Sequence, residues 1–274
     1  MHTGLDGKAI LITGASSGIG KATALAFGKE KGVNVALTYF KHEASAREVV
    51  ATIERDGGSA YAVYMSLADH ASIEKAVDEI AKKFGGVDVL VNNAVYAGSA
   101  FENMGKSFED MPMKQWEETI GVNLFGIVRM TQLVVPFMRK KKWGRIVNVS
   151  ADMSYDSMRG AGPYGALKTA LFGFTSNLVE ELSADGILSN AVLPSWVLVE
   201  RNLERFSKDL LHEVEVAFPA RHITTPEDVA SMIVYLGSAA NGVVNGEHIK
   251  VTGRGSQPLL NMLSQQYMAR QAGR

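Results

Sequence analysis

Tyr164-Gly165-Ala166-Leu167-Lys168 sets a phenol and an ammonium four residues apart, on one face of any helix that contains them. A tyrosine hydroxyl titrates at about pH 10 and is a poor acid or base at neutrality. A neighbouring ammonium favours the phenolate and lowers that value. Such a pair can give a proton to a carbonyl oxygen or take one from an alcohol. Taken alone, Tyr-x-x-x-Lys also recurs by chance as an exposed couple, so the rest of the chain must decide.

A second cluster is Thr13-Gly14-Ala15-Ser16-Ser17-Gly18-Ile19-Gly20. It follows the apolar run Ala9-Ile10-Leu11-Ile12 and opens into a helix-like stretch, Lys21 to Glu30. Strand, glycine turn and helix N-terminus make a phosphate cradle: the glycines admit a close pyrophosphate, and free N–H groups with the helix dipole hold the anion. The string alone could be a tight turn. Its place at the first strand-to-helix junction points to a dinucleotide.

These residues need a scaffold of alternating elements. Strands are predicted at Ala9–Thr13, Val33–Tyr39, Ala60–Met65, Val87–Asn92, Gly144–Ser150, Ile187–Leu193 and His248–Val251. Helices are predicted near Gly18–Lys31, Glu43–Asp56, Ala71–Phe84, Met113–Lys141, Tyr164–Ala184 and Pro226–Gly237, the last with Thr225 as N-cap. Several strands are continuous Val/Ile/Leu runs, as in a parallel sheet covered on both faces. The expectation is one doubly wound α/β domain over residues 1–274 with about seven strands and its ligands beyond their carboxyl ends. Segments 96–112 and 195–223 leave such ends and are expected to line a substrate cleft. The tail, 259–274, reads either as a helix over a cleft or as a loose extension.

Bulk composition narrows the function. The 274 residues are 46% hydrophobic with net charge −1, so no field favours nucleic acid or an anionic membrane. There is no cysteine, hence no disulfide and no thiolate chemistry. The six histidines show no metal-ligand spacing, and no Gly-x-Ser-x-Gly elbow surrounds a serine. The run Arg139-Lys140-Lys141-Lys142 suits the end of a long helix. No signal pattern opens the chain and no uninterrupted apolar run spans a bilayer, so a soluble cytoplasmic protein without membrane or nucleic-acid partners is expected.

The glycine turn, Asn92-Asn93-Ala94, Asn123 within Gly121-Val122-Asn123-Leu124, the strand Gly144 to Ser150, Tyr164/Lys168 and Asn190-Ala191-Val192-Leu193-Pro194 occur in order. Together this resembles the short-chain dehydrogenase/reductase family from Leu5 to about Gly255. The resemblance implies a Rossmann-type domain, NAD or NADP, carbonyl–alcohol oxidoreduction on a small molecule, and homodimers or homotetramers. Carried over by position, Tyr164 is the proton donor or acceptor. Lys168 binds the nicotinamide ribose and lowers the Tyr164 pKa, and Asn123 holds a water linking Lys168 to solvent. Gly14, Ser16, Ser17, Gly18, Ile19 and Gly20 surround the adenosine ribose and pyrophosphate, with Asn93 and Ala94 against that ribose. Tyr39, Lys41, Ser66, Leu67, Pro194 and Val197 complete the expected cofactor lining. Val95, Tyr96, Ala151, Ser154 and Trp196 are expected to face the substrate.

The chain departs from the family pattern at five places. Ala151 stands where a serine is usual, three residues after Asn148 and thirteen before Tyr164. Its methyl cannot hydrogen-bond a substrate oxygen, and losing one such donor costs about 3–4 kcal/mol. Ser154, then Ser150, is the expected substitute; Asp152 and Tyr155 also lie within reach. Val95 and Ser195 replace glycines, Val199 a threonine and Ser66 an aspartate. After the second strand, Thr38-Tyr39-Phe40-Lys41-His42 offers no acid for a ribose 2′-hydroxyl, and Lys41 could neutralise a 2′-phosphate, which favours NADP and leaves NAD open. Two further readings remain beside hydride transfer to a carbonyl, imine or enone: dehydration, isomerisation or cyclisation on the same scaffold, or a binding role.

Overall fold

The computed structural model describes residues 2–96, 98, 102, 103, 105–200, 203 and 206–272, the side chains of 257, 258, 271 and 272 excepted. Residues 97, 99–101, 104, 201, 202, 204 and 205, within the two expected cleft segments, and 273 and 274 of the tail lie outside the described residues.

Seven parallel strands run β1 (Ala9–Ile12), β2 (Asn34–Tyr39), β3 (Ser59–Tyr64), β4 (Val89–Asn92), β5 (Gly144–Val149), β6 (Ile187–Pro194) and β7 (His248–Val251), in the spatial order β3-β2-β1-β4-β5-β6-β7. The described helices are α1 (Gly18–Gly28), α2 (Glu43–Arg55), α3 (His70–Phe84), α4 (Met113–Lys141), α5 (Gly162–Leu182), α6 (Lys208–Ala217), α7 (Pro226–Gly237) and α8 (Gln257–Ala272). Alternation along each strand sorts the core into two layers. Ile10, Ile12, Val89, Val91, Val147 and Val149 meet α1, α2 and α7, while Leu11, Leu90 and Ile146 meet α3, α4 and α5. Both layers are apolar, which is why β1 and β4 read as unbroken hydrophobic runs.

Capping follows local chemistry. Thr225 and Asp228 form a reciprocal capping box at α7, and Asp69 accepts the Ala71 and Ser72 N–H groups at α3. α4 is long and apolar enough, by length and composition, to cross a membrane. Here it packs against α3, α5 and β5, and one third of its most apolar window is buried. A third apolar cluster stands apart from the sheet, where Trp196, Leu210, Val214, Phe218, Ile223 and Leu260 join α6 to α8. Tail residues 257–272 are therefore helical, tied to α6 by the Ser207–Tyr267 hydroxyl pair (3.0 Å) and an Arg270–Glu213 ion pair.

Candidate active site

Neighbouring strands β1 and β4 send their chains to opposite sides of the sheet, so a crevice opens beyond their carboxyl ends. Gly14 sits there at φ +66°, and a Cβ on it would lie 2.9 Å from Ala94 Cα. At Gly20 a Cβ would lie 2.5 Å from the Gly14 carbonyl and 2.6 Å from Asn93 Nδ2. Asn93 braces the turn: its amide donates to the Thr13 and Gly14 carbonyls (2.9 and 3.1 Å). The N–H groups of Asn93 and Ala94 both donate to Thr13 Oγ1. At the N-terminus of α1, Ser17 forms no side-chain cap and the first turn carries no acid. Glu200, arriving from beyond β6, reaches this end of α1. Its own N–H, then Lys21 and the Gly18 N–H, hold its carboxyl below the usual carboxylate range.

A cavity of about 380 Å³ follows this cradle. Of the residues expected at the cofactor or substrate, Gly14, Ser16, Tyr39, Lys41, Ser66, Leu67, Asn93, Ala94, Val95 and Tyr96 line it. Thr38, Phe40, His42, Met65 and Gly98 line it as well and were missed; the Phe40-Lys41-His42 run carried the signal. Among the described residues, no carboxylate lines it. Glu43, next along the chain, is paired with Arg47 at 2.5 Å. Ser17 is exposed, Ile19 packs on the core and Gly20 is buried under the turn. Val197 is buried in the sheet-side core, and Pro194 closes β6 opposite Val251. The cradle that a Cβ would fill, the N–H-bearing helix end and the cavity beside them fit a dinucleotide.

Tyr164 and Lys168 sit one turn apart near the start of α5, with Lys168 Nζ 5.6 Å from the Tyr164 ring centre. Tyr164 is half-buried against Ala151, Met153 and Met158. Lys168 is buried and its ammonium donates to the Val149 carbonyl at 2.7 Å. Burial lowers the Lys168 pKa to about 8. The sequence predicts a phenol made more acidic by this ammonium. The structure differs: burial, then the Asp152 carboxylate, pushes Tyr164 up to about 12. Desolvation outweighs an ammonium that is committed to a backbone carbonyl.

Asn123 is also engaged otherwise than expected. Its side chain accepts the Tyr96 N–H (2.7 Å) and donates to the carbonyls of Tyr96 (3.0 Å) and Thr119 (2.8 Å), so it clamps the chain leaving β4 onto α4. Ser154, the expected substitute for the missing serine, lies 3.2 Å from Ser150 Oγ. Ser150 already donates to the Lys168 carbonyl at 2.7 Å, so Ser154 is the donor in that pair and its proton stays inside the fold. Trp196 packs edge-on against Phe206 at 5.4 Å within the α6–α8 cluster. Asn261 of α8 reaches Met158 Sδ at 3.8 Å, so the last helix touches the loop that carries the Tyr164 surroundings.

Residues 14–253 match the family described as enoyl-(acyl carrier protein) reductase. The 3-oxoacyl-acyl-carrier-protein reductase of Aquifex aeolicus is 33% identical over 253 residues, 92% of this chain and 99% of that one. The chain belongs to the short-chain dehydrogenase/reductase family. The same-named enzyme of Thermotoga maritima is 33% identical over 91% of this chain and 98% of its own. A solved 7α-hydroxysteroid dehydrogenase, complexed with NADH and 7-oxo glycochenodeoxycholic acid, superposes with a TM-score of 0.84 at 29% identity, covering 94% of this chain and 97% of that one. This family member is an NAD(P)-dependent oxidoreductase that transfers hydride, on a parallel sheet flanked by helices.

Proposed function

We propose that the chain is an NADP-dependent reductase of small-to-medium apolar carbonyl compounds, with Tyr164 as the proton donor. The observation that carries this reading is the half-buried Tyr164 phenol one turn from the buried Lys168 ammonium on α5, within a fold whose glycine cradle opens at the neighbouring crevice. A nicotinamide bound there would supply the hydride, two electrons to the carbonyl carbon. Tyr164 would then give its proton to the oxygen, and Lys168 would hold the ribose. Lys41 at the cavity and the absence of a lining carboxylate favour a 2′-phosphate, hence NADP over NAD. Met153, Met158 and the Trp196–Leu260 cluster supply apolar walls suited to a hydrocarbon-bearing substrate.

A homodimer or homotetramer fits α4, which stays largely unburied despite its apolar composition and exposes 59% of Phe125. Domain boundaries follow the same reading: one unit, with 96–112 and 195–223 at the cleft and the tail over it. A second reading, enone reduction or dehydration, draws on Ala151, which removes the usual donor beside the oxygen.

Loss of reduced-nicotinamide absorbance with NADPH and, in turn, ethyl acetoacetate, cyclohexanone and 2-cyclohexenone tests the proposal. Oxidation with a saturated ketone and at least tenfold preference over NADH is expected. NADPH left untouched by all three, or turnover unchanged in Tyr164→Phe, overturns it.

A further inference from the structure

The position after Ala151 is occupied by a carboxyl group with one oxygen that the fold leaves unsatisfied. Asp152 begins the short 3-10 turn Asp152–Ser154, which packs on α5. It is 3% exposed, yet its Oδ2 has no hydrogen-bond partner. A buried carboxyl with an open oxygen is costly unless something comes to meet it. Its neighbour Ala151 packs against Tyr164, and the Asp152 charge acts directly on the Tyr164 phenol. The two hydroxyls nearest in sequence are already committed, Ser150 to the Lys168 carbonyl and Ser154 to Ser150.

We propose that Asp152, as a carboxylic acid, is the hydrogen-bond donor to the substrate oxygen in place of the serine absent at Ala151. The inference rests on the reductase reading and names the group that completes it. No atom is transferred to or from Asp152. Hydride reduces the carbonyl carbon as the nicotinamide is oxidised, the Tyr164 proton ends on the oxygen, and the Asp152 O–H only shares its proton with that oxygen while charge builds there.

The surroundings favour the neutral acid. Burial, then the Asp156 carboxylate on the same loop, pushes Asp152 up to about 7, against weaker pulls from the Met153 N–H and from Lys250 on β7. From α5 it faces Tyr164, one turn before Lys168. Lys250 is partly turned aside, its ammonium 4.2 Å above the Tyr155 ring. Below about pH 7 the acid can donate. Above it the carboxylate can only accept, and it also holds the phenol proton more tightly. Reductive turnover should therefore fall as pH rises through about 7, before Lys168 loses its proton at about 8.

The test compares kcat for NADPH and the saturated ketone accepted above, from about pH 5.5 to 9, in the wild type, Asp152→Ala, Asp152→Asn, Ala151→Ser/Asp152→Ala and Tyr164→Phe. NADPH quenching and melting confirm that each is folded and loaded. Asp152→Ala should lose about 100-fold in kcat. Asp152→Asn, which keeps an N–H donor, should retain more, with its falling limb moved from about 7 toward 8. The added serine should restore most of the rate. A kcat within threefold of wild type in Asp152→Ala overturns the inference, as does an equal loss in all three Asp152 variants with an unmoved pH limb. If instead Tyr164→Phe keeps the wild-type rate, the reductase reading fails on its own. A wild type that oxidises NADPH with none of the ketones sinks both.

Discussion

The two ends of the sheet are built on opposite principles. At the amino ends of the strands, buried charges are fully answered. Asp88 accepts the Ala9 N–H at 2.9 Å and pairs with Lys141 at 2.8 Å. Arg145 donates to the carbonyls of Gly144, Gly186, Ser238 and Asn241 and lies on the Trp143 ring. At the carboxyl ends some polar groups are left partly unanswered: an α1 N-terminus that Ser17 does not cap with its side chain, a lysine on a lone carbonyl and an open carboxyl oxygen on Asp152. A staple satisfies its own groups, whereas a site keeps some in reserve for a visitor.

That contrast predicts which measurement each substitution moves. Tyr164→Phe should cut kcat by about 1,000-fold while the melting temperature stays within a few degrees of wild type, since the ring keeps its packing on Ala151, Met153 and Met158. Equal turnover would break the comparison at its strongest point. Arg145→Met should do the reverse. It takes a donor from four carbonyls, of which Gly186 and Ser238 still accept backbone N–H groups, and should lower unfolding free energy by about 3 kcal/mol in urea, with kcat per folded molecule unchanged. Gly20→Ala drives a methyl into the Gly14 carbonyl and should weaken NADPH binding by about tenfold to hundredfold, read by tryptophan quenching. Glu200→Gln, the smallest expected change, removes an anion from the N-terminus of α1. It should tighten NADPH binding about two- to fivefold at low salt and lose that gain at high salt. Tighter binding that survives high salt would mean that charge is not the cause.

The sequence made the scaffold readable because patterning and turn chemistry agree. All seven strands are found within a few residues of their predicted bounds, and α4 runs from Met113 to Lys141 as its composition suggests. Expectations about the site were weaker where the outcome depends on through-space competition. The spacing of Tyr164 and Lys168 is visible in the chain, but the direction of the phenol shift depends on desolvation, which no spacing encodes. Asn123 was placed correctly on its helix, yet its amide turned to the Tyr96 backbone. Asp152 was one of several polar side chains near Ala151. Only three-dimensional burial separates it from Ser154, whose hydroxyl is already used.

Between the two ends runs a relay of four side chains. Thr131 on α4 accepts from Asn92 on β4 (3.3 Å), Asn92 donates to Asn148 on β5 (2.9 Å), and Asn148 donates to Thr175 on α5 (3.0 Å). The relay has a polarity: Asn92 spends its NH₂ on both neighbours and leaves its own Oδ1 unpartnered, while Asn148 accepts with its carbonyl and donates with its NH₂. A single-atom exchange, Asn148→Asp, keeps the shape and the Asn92 bond but sets a carboxylate oxygen where an N–H had been, opposite Thr175 Oγ1. Isosteric yet reversed, it would force the Thr175 hydroxyl to swing round and bring an unpaired charge into the layer that locks α4 to α5, so a change invisible in outline would loosen both helices at once.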